Sequence, residues 1–374
     1  MIIGSYIKQP QGYTAFIPSP FPPKEEIALS LETVRLLEKA NLLVGKLDGI
    51  TQTLPNLDFF IFMYVRKEAA LSSEIEGTKA TMVDSIKAEL EMTKALPKDV
   101  NDILHYIQAM NHGLKRLNEL PLSLRLIKEV HHVLMTKARG EVFAYPGEFR
   151  KTQNWIRGTR PDNARFIPPP LDEMKQALSD LELYLHKEDM LPMLVKTALI
   201  HAQFETIHPF VDGNGRTGRL LITFFLCQQK ILDKPVLYLS EFFKKHRELY
   251  FDLLENYHNK GEIYPWINFF LEGIAIVSQD AIITSRKINA LRDRDIKRIN
   301  AYGGSPKSAL LVMDKLYALP IVNVRKVQEW TGFTRAGAND LVKKMIKIGI
   351  LGQKGKEVEY DRIFEYREYL NIFI

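Results

Sequence analysis

A histidine, a carboxylate, three glycines and two arginines fall together in the segment HPFVDGNGRTGR, residues 208–219. Gly213-Asn214-Gly215 can take positive φ and turn successive backbone N–H groups toward one point, an anion-binding nest when a helix follows. Leu220–Cys227 continues such a helix. Arg216 and Arg219, three residues apart at its start, are expected to aim at the same side as a two-pronged clamp for anionic oxygens. Thr217 and Gly218 complete that turn and join the candidate phosphate-binding set. Asp212 is a hard carboxylate beside the nest, suited to Mg²⁺ shared with phosphate oxygens. Neutral His208 has the working pKa of a general base, and Phe210 reads as a core anchor for the loop.

Simpler readings compete. Gly213-x-Gly215-x-x-Gly218 with Asp233 twenty residues beyond Gly213 matches a lone dinucleotide fingerprint. That fingerprint requires a preceding strand, whereas Leu194, Ala198, Ile200 and Phe204 recur at helical spacing. His201 and His208 could share a helix face as metal ligands, but no third ligand completes a zinc spacing nearby, and His201 reads as a hydrogen-bonded structural residue.

The segment at 208–219 resembles the Fic family motif HPFx(D/E)GNGRxxR at every specified position. PGEFRKTQNWIRGT at 146–159, FIPPP at 166–170 and YLSEFFKKHRELYFDLLENYHNKGEI with Trp266 extend the likeness over roughly residues 55–275. The resemblance implies transfer of AMP from ATP, with Mg²⁺, to a Ser, Thr or Tyr hydroxyl of a protein. His208 would be the base and Asp212 the metal ligand. Asn214 and the Gly213 and Gly215 amides would cradle phosphates that Arg216 and Arg219 neutralise. Tyr250, and more loosely Asn259, fall where the family contacts adenine, and a plain packing role competes for Tyr250.

Ser72-Ser73-Glu74-Ile75-Glu76-Gly77 fits the family's inhibitory pattern (S/T)xxxE(G/N), and the implied brake is a Glu76–Arg219 pair. The same residues also read as a plain helix C-terminus with Gly77 as its left-handed cap. The resemblance leaves open removal of AMP, a different nucleotide donor, and a DNA-binding regulator whose Fic-like body senses nucleotide.

The elements that must position these groups are mainly helical. The Pro- and aromatic-rich start reads as an extended arm up to about residue 24. Leu29, Leu31, Val34, Leu36, Leu37, Leu42 and Leu43 then set a helical period. Further helices are expected over 58–71, 82–93, 100–117, 123–136, 171–186 and 194–207. Residues 153–170 pair two extended runs around Pro161-Asp162-Asn163, a β-hairpin flap whose free edge is expected to dock a protein substrate. A polar helix over 278–298 leads to Gly303-Gly304-Ser305-Pro306. Helices over 307–319, 324–330 and 335–348 with two strands around Gly355 then follow the order of a winged helix-turn-helix. The expected organisation is an N-terminal helical region (1–100) with the inhibitory segment 72–77, a Fic catalytic core (101–280), a linker helix (281–304) and the winged helix (305–374).

The chain has 374 residues and a net charge of +6. Residues 291–374 hold 16 Lys/Arg against 10 Asp/Glu, so the tail carries the whole excess and any DNA partner belongs to 305–374, through Thr334-capped Arg335, Asn339 and Lys343 or through Lys354 and Lys356. The single cysteine, Cys227, allows no intrachain disulfide and fits a reducing cytoplasm. No signal peptide is visible, and the longest apolar run, Leu220–Cys227, is too short to span a bilayer. A homodimer is left open.

Overall fold

Leu37, Ala40, Leu43, Val44 and Leu47 recur every three or four residues and are buried, which makes Leu31–Gln52 a helix (α1) with one apolar face. Leu31 and Leu42 face solvent, so the buried stripe is narrower than the sequence suggests. A computed structural model describes residues 2–52, 57–90, 99–136, 145–302, 306–353 and 362–374. Before α1, strands Gly4–Lys8 (β1) and Thr14–Pro18 (β2) form an antiparallel hairpin with Gly4 opposite Pro18, where the sequence suggested a single extended arm.

The helical body continues with Leu57–Ile75 (α2), Met82–Leu90 (α3), Val100–Arg116 (α4), Leu124–Met135 (α5), Leu171–His186 (α6), Met193–Ile207 (α7), Asn214–Gln228 (α8), Ser240–Lys245 (α9) and Arg247–Lys260 (α10). Ser123 caps α5, its hydroxyl accepting from the Leu126 N–H. α7 is apolar nearly all round and buried on every side, the mark of a central helix. Around it, Trp266 Nε1 donates to Ala198 O at 2.8 Å. α4 approaches α8 so closely that a Cβ at Gly113 would lie 2.2 Å from the Phe224 ring.

Trp266 belongs to Ile263–Ala301 (α11), one unbroken helix running across the boundary expected near residue 280. It contains a window apolar enough by composition to cross a membrane, although polar residues interrupt it and leave no long contiguous apolar run. That window is 61% buried within the fold, so a core helix accounts for it.

The C-terminal part comprises Pro306–Ala318 (α12), Ile321–Asn323 (β3), Val324–Thr331 (α13), Arg335–Lys347 (α14), Gly352–Gln353 (β4), Ile363–Glu365 (β5) and Arg367–Leu370 (α15). Its small antiparallel sheet has the order β3-β5-β4. Gly332, at φ 68°, ends α13, and Thr334 caps α14. The expected strands around Gly355, the break at 303–305 and the residues Lys354 and Lys356 lie wholly or partly outside the described residues. This part packs onto the body: the Tyr366 hydroxyl donates to buried Asp295 on α11 at 2.6 Å, and Phe373 meets Tyr64 of α2 edge-on at 5.6 Å.

Candidate functional site

α7 ends at His208, whose backbone sits at φ 47°, ψ 61°, with its N–H returning to Phe204 O at 3.0 Å. This left-handed residue is uncommon for a non-glycine and turns the chain into the loop 208–213. Several side chains fix that loop. The Asn214 carboxamide grips the Phe210 backbone twice, accepting from its N–H at 2.8 Å and donating to its carbonyl at 2.8 Å. The Phe210 ring is fully buried and stacks on His131 at 3.6 Å with planes 5° apart. His131 Nδ1 accepts from the Gly147 N–H at 2.9 Å, so its Nε2–H donates to Asp212 O at 2.9 Å. Burial lowers the His131 pKa to about 4, which keeps that bridge neutral. Arg150 ties the loop to the base of the flap, donating to His208 O at 3.1 Å and to Pro169 O.

The asparagine therefore serves the loop. Its oxygen and one Nδ2 proton are committed to Phe210, and Nδ2 also lies 3.1 Å from His208 Nδ1. Asn154 from the flap also approaches Nδ1 at 3.1 Å. Nε2 of His208 is left without a hydrogen-bond partner among the described residues, and the ring borders a cleft of about 760 Å³ including its open mouth. Burial and the nearby Arg150 charge lower the His208 pKa to about 4, against an opposing pull from Glu76.

Gly215 and Arg219, one turn apart on α8, line the same cleft. The helix advances about 100° per residue, so the residues between them face elsewhere. Arg216 Nη2 turns to Met135 Sδ at 3.4 Å and Asp212 Oδ1 at 3.8 Å, and its buried Nε has no partner among the described residues. Thr217 is buried. Gly218 lies against α7, with its carbonyl accepting from His201 Nδ1–H at 3.1 Å. Gly213, at φ 79°, starts α8 with its N–H on Asp212 Oδ1 at 2.6 Å, and a Cβ there would meet Met135 Sδ at 2.7 Å. The expected two-pronged clamp is thus not assembled: Arg219 alone of the pair lines the cleft. Gly213, Asn214, Arg216, Thr217 and Gly218 shape its wall from behind.

Arg219 is nearly fully buried and engaged. Its Nε donates to Ser72 Oγ at 2.8 Å; its Nη2 donates to Ser72 O at 3.0 Å and to Glu76 Oε1 at 2.8 Å. Burial tends to raise the Glu76 pKa, but the Arg219 charge and hydrogen bond outweigh it, with help from Arg216, and the carboxyl is held below its usual range. The 72–77 segment closes a helix and also brings Glu76 to Arg219. Gly77, at φ 93°, follows the end of α2, and Glu76 reaches into the cleft. A Cβ on Gly215 would lie 2.3 Å from Glu76 Oε1, so the carboxylate rests on the glycine at the start of α8.

Tyr250 borders the cleft, but its hydroxyl is 2.9 Å from His201 Nε2 and its ring is packed on Phe243 at 4.4 Å. The Tyr250–His201–Gly218 chain is a buried structural bridge, as expected of His201. Asn259 lies outside the cleft, bonded to Tyr6 and Glu255. The open wall of α10 comes from Phe251, Leu254 and His258 instead, one helical step from each expected residue. His258 stacks on Phe166 of the flap at 3.8 Å.

The flap is slimmer than a full hairpin, with one bridge pairing Ile156 with Phe166 and a 3₁₀ turn at Pro161–Asn163. It is latched to α10 by Arg165, which pairs with Asp252 at 2.6 Å and with Glu255. On its outer side the Phe16 N–H of β2 donates to Ile167 O at 2.9 Å. The N-terminal hairpin therefore occupies part of that edge, and its Tyr13 hydroxyl also donates to Gln153 Oε1 at 3.4 Å. Burial pushes the Cys227 thiol up to about 12, consistent with an inert core residue.

Among the described residues no cluster of three or more His, Cys, Asp or Glu side chains could hold a metal by itself. Asp212 offers one carboxylate, 55% exposed. That donor suits a cation shared with a polyphosphate, since Mg²⁺ takes one or two carboxylates and completes its shell from phosphate and water.

Residues 34–115 match the family model described as Fic/DOC family N-terminal, and residues 121–226 match that of the Fic/DOC family. The chain is 29% identical to a protein adenylyltransferase Fic from Drosophila grimshawi over 53% of its length. It is 32% identical to one from Culex quinquefasciatus over 46%, and 27% identical to a probable protein adenylyltransferase from Aquifex aeolicus over 47%. These matches span 39%, 32% and 52% of the relatives' own lengths, less than two thirds in each case. A Fic family protein from Desulfovibrio desulfuricans superposes with TM-score 0.59 at 17% identity, covering 92% of this chain and 98% of that one. A Fic domain containing signaling protein from Bacteroides thetaiotaomicron gives 0.52 at 19%, covering 68% and 97%. At these identities the two structures share the fold.

Proposed function

From a chain that carries Fic/DOC family domains, we propose a protein adenylyltransferase that moves AMP from ATP to a target hydroxyl and is restrained by Glu76. The observation that carries this reading is the single cleft joining the open edge of His208 to Gly215 and to Arg219.

In the proposed reaction, a Ser, Thr or Tyr hydroxyl oxygen attacks the α-phosphorus in line and forms the new P–O bond. The bond to the β-phosphate oxygen breaks, and pyrophosphate leaves. His208 Nε2 takes the hydroxyl proton, which requires the ring's own proton on Nδ1, where the His208 backbone carbonyl can accept it. The lowered pKa keeps the ring neutral and able to accept at neutral pH. Arg219 and the amides at the start of α8 offset charge on the leaving phosphates, so positioning and electrostatics account for most of the catalysis. Asp212 would hold Mg²⁺, which supplies charge neutralisation on the phosphates when bound. The 153–157 edge of the flap would align the target segment through backbone pairing.

Glu76 supports the restraint by its position. Its carboxylate sits where a terminal phosphate would meet Arg219 and Gly215, so nucleotide must displace it to align. The C-terminal elements fit a winged helix. Arg335, Lys343, Lys344 and Lys347 are exposed on α14, and that face supports a second reading, a nucleotide-sensing regulator that binds DNA. A duplex-DNA shift weakened by salt tests it.

The first reading is tested by His208→Ala. Transfer from α-labelled ATP is expected to fall roughly 10²- to 10⁴-fold while nucleotide binding persists. Near-normal labelling by the folded variant removes His208 from the mechanism.

A further inference from the structure

Glu205 is a carboxylate that the mechanism above leaves unused. It sits on the last turn of α7 and lines the same cleft. Its carboxyl makes no hydrogen bond or ion pair with any described residue, and its Oε1 is sealed from solvent without a partner. Gly218 makes room for it, since a Cβ there would come within 2.5 Å of Oε1. Burial pushes the Glu205 carboxyl up to about 7; Arg219 pulls it down and Glu76 pushes it further up. A half-buried acid with no partner costs stability, and packing alone gives no reason for it.

Its neighbours locate it along the cleft. Arg219 and Glu76 act on it from the anion end, and it acts in turn on Tyr250. The same cleft has an apolar wall of Phe166, Phe251 and Leu254, together with His258, whose Nε2 is also buried without a partner among the described residues. Burial lowers the His258 pKa to about 3, so that ring is neutral. A nucleotide with its phosphates at Gly215 and Arg219 and its base against those rings puts its sugar beside Glu205. The sugar of a ribonucleotide offers adjacent hydroxyl donors, and an ionised carboxyl is acceptor only. Such donors stabilise the charged carboxylate.

We propose that Glu205 binds the sugar of the donor nucleotide, accepting a hydrogen bond from its 2′,3′-diol, and so makes the site select ribonucleotides over deoxyribonucleotides. The inference rests on the adenylyl-transfer reading and deepens it by assigning the sugar.

The test uses the full-length Glu76→Gly chain, whose cleft is free of its own blocking carboxylate, with Mg²⁺ and ATP, 2′-deoxy-ATP or 3′-deoxy-ATP. Calorimetric affinity is expected to favour ATP over at least one deoxy analogue by about 10- to 100-fold, the worth of a hydrogen bond to a charged group. Adding Glu205→Ala should weaken ATP by that factor and leave the disfavoured analogue unchanged, bringing their ratio close to one. The near-isosteric Glu205→Gln, which keeps one acceptor oxygen, should fall between and carries the test if the alanine variant does not fold. Equal affinity for all three nucleotides in the parent, or an unchanged ratio in the Glu205 variants, overturns the assignment while leaving AMP transfer intact. A parent that binds no nucleotide overturns both.

Discussion

Replacing Glu76 with glycine removes one carboxylate and leaves Arg219 facing the cleft. The Glu76 Oε1 lies 2.8 Å from Arg219 Nη2. Charges about 4 Å apart attract by roughly 4 kcal/mol at an effective dielectric near 20. The Glu76 side chain is 36% exposed, so solvent screening reduces that figure, and ATP must recover the remainder when it displaces the carboxylate. A net release of about 1.4 to 2.8 kcal/mol corresponds to roughly 10- to 100-fold in productive nucleotide alignment. Ser72 keeps its two bonds to Arg219, which preserves the guanidinium position in the variant. The position follows the end of α2, so the glycine costs little helix. The assay is incorporation of α-labelled ATP into the chain itself and into an added protein extract, at saturating nucleotide, with a melting curve to verify folding. An unchanged or lower rate in the folded, saturated variant refutes the proposed restraint.

Two further expectations concern the scaffold. Gly113→Ala places a methyl 2.2 Å from the Phe224 ring, so overpacking of roughly 1–3 kcal/mol should outweigh the ~1 kcal/mol gain in helix propensity; a urea midpoint equal to or above that of the parent contradicts the close α4–α8 contact. Stability should also fall with acid. His131 and His201, lowered by burial to about 4 and about 3 from an ordinary 6.5, stay neutral in the fold while the unfolded chain protonates. Their contribution is complete above about pH 6.5 and is lost as pH drops toward their folded values, about 2 kcal/mol per ring by pH 5. Glu205, raised to about 7, acts with the opposite sign between its ordinary 4.5 and 7 and offsets part of this. Urea midpoints that do not fall between pH 7 and pH 5 contradict the neutral buried rings.

The chemistry was legible where it is local in sequence. His208, Gly215 and Arg219 fall within one turn–helix segment, and the glycine spacing and charge type suffice to mark an anion site there. Local spacing could not show that Arg216, Thr217 and Gly218 turn away from the cleft, because only a helix's phase against its neighbours decides which of four successive residues faces it. The same single step separates Tyr250 and Asn259 from Phe251 and His258. Long-range partners left no local signal. His131 reaches Asp212 across 81 positions, and Arg150 reaches His208 across 58. Glu205 sits three residues before the motif but reads as an ordinary polar helix position. Its only sequence cue is Gly218, the small residue that makes room for it. The N-terminal hairpin escaped because its Pro and aromatic residues show no clean alternation.

The most direct test of the central claim uses the Glu76→Gly chain with ATP labelled separately at the α- and γ-phosphates. Covalent label from the α-position alone, lost on adding His208→Ala, is the predicted result. Label from the γ-position, or α-label that survives loss of the imidazole, contradicts adenylyl transfer at this cleft.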